Sequence, residues 1–154
     1  MYAYADNAGF ALAVCDRSLN HMSAKFQGVM RDISSILKEV YFADGVAVIP
    51  GGGTYGMEAV ARQIAVGKNV MVLRNGWFSY RWTQIFEAGS IPASETVMKA
   101  RRVGNGAQAA FAPAPIDEVV AKILSDQPDV VFAPHVETSA GLILPDDYLK
   151  AVSD

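Results

Sequence analysis

Three short stretches carry residue types suited to holding or transforming a small molecule. In "IPGGGTYGMEA" (49–59), three glycines and Thr54 stand where an apolar run gives way to a helical pattern. Bare backbone N–H groups, the positive end of a helix dipole and a hydroxyl together suit a phosphate. A tight strand-to-helix turn with no ligand would use the same glycines. In "NGWFSYRW" (75–82), Trp77 and Phe78 follow a second apolar run. A ring there either stacks on a planar ligand or packs into the core.

The third stretch, "HVETSAGLILP" (135–145), offers His135 and Glu137 as an acid–base pair. The same two residues equally serve to hold their loop in shape. Thr138 and Ser139 either hydrogen-bond a ligand or cap the turn that Gly141 and Pro145 complete. Glu58 and Arg81 each lie one turn into a helix that starts near these loops, where an ion pair with a structural or solvated role is the plain alternative. The lysines fall at surface positions of helices, turns and a strand.

Elements must position these loops, and the periodicity supplies them. Between Ser23 and Tyr41, Phe26, Val29, Met30, Ile33, Ile36, Leu37, Val40 and Tyr41 recur at helical spacing, with Ser23 placed to cap and "ADG" (43–45) to stop. Val46–Pro50 is short and β-branched and predicts a strand. A helix follows with Met57, Val60, Ala61 and Ile64 on one face, Thr54 as its N-cap and Gly67 just past its end. "NVMVLRNG" (69–76) predicts a buried strand, followed by a helix from Phe78 to Ala88 that ends at Gly89. "ETVMKARRV" (95–103) predicts a further strand, and "GNGAQAAFAPAP" (104–115) a loop. "PIDEVVAKILSD" (115–126) gathers Ile116, Val119, Val120, Ile123 and Leu124 on one helical face. "DVVFAPHVETSAG" (129–141) then gives a strand and loop, and "PDDYLKAVSD" (145–154) a last helix.

Alternating strands and helices predict an α/β fold, a mostly parallel sheet with helices on both faces. If its strands are parallel, the three chemical loops leave their carboxyl ends and collect along one edge, where such folds bind ligands. The pattern stops at a helix where another strand would be due.

Bulk properties narrow the function. With 154 residues, 51% of them apolar, the chain is long enough for one ordinary core. Thirteen basic against 16 acidic residues, without long runs, leave no footprint for nucleic acid or an anionic membrane. Cys15 alone excludes an internal disulfide, and with only His21 and His135 there is no zinc-type cluster, so no metal is expected. No export signal and no membrane span are expected, and a reducing, cytoplasmic setting is the simplest one.

In order and spacing, "GGGTYGMEA", "NGWFSYRW" and "HVETSAGLILP" resemble the class V aminotransferases that depend on pyridoxal 5′-phosphate, the group of alanine–glyoxylate and serine–pyruvate enzymes. The resemblance runs from about Ser23 to Asp154. It implies the first part of the large domain of a fold-type-I enzyme, with residues 1–22 as an N-terminal arm and 23–154 as an incomplete cofactor-binding domain. Gly52, Gly53 and Thr54 would hold the cofactor phosphate, Phe78 would stack on the pyridine ring, and the Thr138 hydroxyl would meet the phenolic oxygen. The implied activity is amino transfer from a small amino acid to a 2-oxo acid, in a homodimer with active sites at its interface.

Family members place the Schiff-base lysine and the carboxylate that faces the pyridine nitrogen further along the chain. These 154 residues are therefore expected to be inactive alone and to contain no catalytic residue. Many members also carry a Gly-Pro-x-Pro segment where this chain has "NAGFALAVCDRSLNHMS" (7–23), so the substrate is not fixed. Two rivals stand beside this assignment. One is a small nucleotide-phosphate-binding α/β protein using the glycine loop, although its spacing differs by one residue from the "PGG-x-GT" loop of phosphoribohydrolases. The other is a non-catalytic relative of the fold.

Overall fold

The computed structural model describes residues 20–154. The arm expected over 1–22, the segment compared with Gly-Pro-x-Pro and Cys15 lie largely or wholly outside the described residues. The described residues fall into two compact units, divided between Ile49 and Pro50.

In the first unit, helix α1 spans Ala24–Tyr41. The Ser23 hydroxyl accepts the Phe26 N–H at 3.1 Å, the N-cap expected from the sequence. Phe42 ends the helix in the left-handed region at φ 51°, its N–H closing onto the Lys38 carbonyl. Lys38 also lies in the last turn, where a cation is favoured by the dipole. Val46–Pro50 belongs to no strand, against expectation, and Val48 and Ile49 are exposed. β-Branched residues fit a ladder but do not make one without a partner, and none pairs with them among the described residues.

The second unit begins with helix α2, Gly53–Ile64. Strand β1 (Asn69–Arg74), helix α3 (Trp77–Gly89) and strand β2 (Ser94–Lys99) then form a parallel crossover unit. Short strands β3 (Arg101–Arg102) and β4 (Phe111–Ala112) pair antiparallel around the glycine-rich loop. The predicted strand over 95–103 is thus broken at Ala100, and the predicted loop supplies β4. Helix α4 (Ile116–Asp126) leads to β5 (Val130–Phe132), and a hairpin of β6 (Val136–Glu137) and β7 (Leu142–Ile143) precedes helix α5 (Asp146–Ser153).

The main sheet has the order β2-β1-β5, and β1 is parallel to both neighbours. Val70 to Leu73 are all buried, as a central parallel strand requires. Side chains alternate across it. Val70 and Val72 join Ala61, Ala65, Ile85 and Phe86 from α2 and α3 on one face. Met71 and Leu73 join Val119 of α4 on the other, with Tyr148 and Val152 of α5 packed against them. Each fully buried apolar side chain of this kind contributes about 1.5–3 kcal/mol. Parallel and antiparallel pairings therefore coexist in an α/β unit with flanking helices.

Two caps differ from the sequence expectation. Gly52, not Thr54, is the N-cap of α2, because the Thr54 backbone is already helical. The helix closes at Ala65, and Gly67, at φ 68°, sits in the following turn that the Lys68 N–H closes onto the Ala65 carbonyl.

Candidate functional site

The loops after β1 and β5 meet, and a buried carboxylate joins them. Glu137 is 1% exposed and faces the first turn of α3. Its Oε1 accepts the Phe78 N–H at 3.1 Å, and its Oε2 accepts the Ser79 N–H at 2.8 Å and the Ser79 hydroxyl at 2.6 Å. Ser139 completes the arrangement. Its hydroxyl donates to Glu137 and accepts the Trp77 N–H at 2.7 Å. Three N–H groups that a helix start leaves unpaired are satisfied in this way. An acid side chain at that end also meets the helix dipole favourably.

Burial by itself would push the Glu137 carboxyl up. The donations from Ser139, Ser79 and the two backbone N–H groups outweigh it and hold the carboxyl below its ordinary value. It is therefore an anion engaged on all sides. Glu137 is not available as half of an acid–base pair with His135, which is exposed and contributes its carbonyl to the Leu144 N–H.

Ser79 escaped sequence reasoning. Its hydroxyl oxygen accepts the Asn75 N–H at 2.8 Å and the Gly76 N–H at 3.0 Å, so it turns the chain from β1 into α3. The legible signal was a serine three residues after the glycine that opens a helix, one half of a capping pattern. Gly76 is required for another reason. A Cβ there would stand 2.5 Å from Ser139 Oγ and 2.7 Å from Glu137 Cγ and Cδ.

What the clamp leaves free lies on its outer side. Phe78 and Trp77 are both largely exposed, at 56% and 58%, so neither is a core ring. Trp77 leans on Tyr80 with centroids 5.7 Å apart. Thr138 is exposed in the β6–β7 turn, where its carbonyl accepts the Gly141 N–H at 3.4 Å. Because Glu137 binds the Phe78 N–H and precedes Thr138, the ring and the hydroxyl hang from adjacent backbone.

Gly52, Gly53 and Thr54 stand exposed at the start of α2. Among the described residues their N–H groups make no hydrogen bond, whereas the Tyr55 N–H closes onto the Gly52 carbonyl at 2.9 Å. A Cβ at Gly52 or Gly53 would meet nothing within 4 Å. Thr54 and Arg81 line one cavity between α2 and α3, about 460 Å³ in volume, which Arg62 and Gly89 line as well. The start of α2 therefore lies at the end from which α3 leaves β1, the carboxyl end of the sheet. Glu58 pairs with Arg62 on its own helix at 2.7 Å and not with Arg81.

No protein-family model matches the sequence, and no curated protein matches it. The fold is similar to that of the crystal structure of ureidoglycine–glyoxylate aminotransferase from Bacillus subtilis, with a TM-score of 0.66 and 22% identity. That likeness covers 86% of this chain and 33% of the other, so the chain spans about a third of the length of the structure it matches. Among the described residues, no helix is long and apolar enough to cross a membrane.

Proposed function

We propose that this chain forms the cofactor-holding share of a pyridoxal 5′-phosphate-dependent aminotransferase of class V and fold type I, its sheet mostly parallel, working as a homodimer. The observation that carries the proposal is the Glu137 clamp, which ties the turn bearing the exposed Phe78 to the loop bearing the exposed Thr138 at the carboxyl end of a parallel sheet. The likeness in fold to an aminotransferase supports it.

The residues fit the group in kind. Unpaired N–H groups at a helix N-terminus, with no side chain over Gly52 and Gly53, suit a phosphate. Thr54 adds a hydroxyl beside them. Phe78 offers a ring face to a planar heterocycle, and Thr138 offers a proton to an oxygen on that heterocycle's edge. Glu137 joins the two loops that carry them, its carboxyl held below its ordinary value by the hydrogen bonds that do so. When bound, the group supplies an electron sink for charge developing at the α-carbon of an amino acid. The substrates proposed are a small amino acid such as alanine or serine and a 2-oxo acid such as glyoxylate or pyruvate.

Pyridoxine 5′-phosphate, whose alcohol does not react with surface lysines, is the probe for the test. Titrated into the chain and followed by ¹H–¹⁵N correlation spectra, it should shift the Gly53, Thr54, Phe78 and Thr138 amides together. Gly53→Leu should weaken its binding at least about tenfold while the fold survives, because the site is open space. Unchanged binding by the Gly53→Leu protein refutes the phosphate loop. ATP displacing the probe and binding more tightly favours the nucleotide-binding rival instead.

A further inference from the structure

A second cavity, of about 370 Å³, opens beside the clamp, lined by Arg74, Asn75, Trp77, Lys99, Phe111 and Ser139 among others. Arg74 and Lys99 are the last residues of β1 and β2 and stand in register, so the parallel pairing delivers two cations to one spot. No carboxylate lines this cavity, and among the described residues neither cation has an acidic partner within 4.0 Å. The Arg74 guanidinium rests 4.8 Å over the Tyr80 ring, which fixes it without neutralising it.

Asn75 forms part of the inner wall. It is 4% exposed, and its Nδ2 is buried with no hydrogen-bond partner. The Ser139 hydroxyl at the same wall keeps its proton on Glu137. Trp77 and Phe111, both exposed, give the cavity two aromatic walls.

We infer that this cavity binds a carboxylate carried on a planar or aromatic group. Arg74 and Lys99 supply the countercharge, while the two rings cover the ligand's apolar part. A free inorganic anion would use the cations but not the walls. None of Gly52, Gly53, Thr54, Phe78 and Thr138 lines the cavity, whereas Trp77 and Ser139 of the clamp do, so the two sites are neighbours that share the clamp.

Benzoate, benzamide and inorganic phosphate separate the alternatives when each is titrated into the full 154-residue chain. Benzoate should shift the Asn75 side-chain amide and the Trp77 indole resonance, and benzamide should bind at least about tenfold more weakly for want of charge. Lys99→Gln should weaken benzoate about fivefold, as loss of one exposed ion pair does, and Lys99→Arg should restore it. Lys99 is exposed, so these variants leave the core untouched. Equal binding of benzamide and benzoate overturns the inference. So does phosphate matching benzoate at the same resonances, or a Lys99→Gln protein that binds benzoate unchanged.

Discussion

Glu137→Gln isolates what the buried carboxylate does. The side chain keeps its shape, but one oxygen becomes an NH₂ group. Placed at the Oε2 position, that group would face the Ser79 N–H and a Ser79 hydroxyl whose oxygen already accepts from Asn75 and Gly76. Placed at the Oε1 position, it faces only the Phe78 N–H as a donor that cannot turn away, since the Ser139 hydroxyl can rotate to accept. The second arrangement is the cheaper. It strands one partly buried backbone donor and exchanges charged for neutral acceptors, a loss of about 2 kcal/mol. Native-state hydrogen exchange of the Phe78 and Ser79 amides reads this directly, and a loss of that size accelerates it roughly 30-fold. The pH dependence has a definite sign. A carboxyl held low in the folded chain contributes stability that is complete above the unfolded value of about 4.3 and is lost as pH falls through the folded one. The wild-type amides should lose protection on acidification, and the Glu137→Gln protein should lack that component. Exchange at wild-type rates with the same acid response would refute the clamp.

Two further substitutions test the frame around it. Gly76→Ala should destabilise by about 1–3 kcal/mol in urea unfolding, because its Cβ would overlap Ser139 and Glu137; an unperturbed midpoint would mean that the two loops are not in contact. Phe86→Ala should cost about 3–5 kcal/mol, since the ring is 2% exposed and meets Phe132 edge-on at 5.1 Å beneath β1. A loss below about 1 kcal/mol would contradict that packing.

The sequence disclosed the elements that carry their own signal. Ser23 and the repeat behind it announce α1, and the unbroken run Val70–Leu73 announces a strand buried on both faces. Helices α3, α4 and α5 begin within a residue or two of the places that periodicity and turn residues assign. Pairing was less legible, because a ladder belongs to two segments and a window of sequence shows one. Val46–Pro50 has strand composition without a partner, and Phe111–Ala112 has loop surroundings with one. The site followed the same division. The candidate contacts Phe78 and Thr138 could be named from local context, since each follows an apolar run. The contacts from Glu137 to Phe78 and Ser79, 59 and 58 residues away, could not, so a residue with acid–base appearance proved to be a structural anion.

Among the described residues, the order β2-β1-β5 leaves two outer strands in this sheet, and strand edges without a partner invite other chains to add on. The two edges are built differently against that hazard. Strand β2 is six residues long and carries Glu95 and Lys99, charges that discourage a flat apolar neighbour. Strand β5 is only three residues long and runs into Pro134 two residues later, so it offers too short a template to propagate. Charge thus stands at one margin and brevity at the other, and a change that lengthens β5 or neutralises β2 should show first in aggregation.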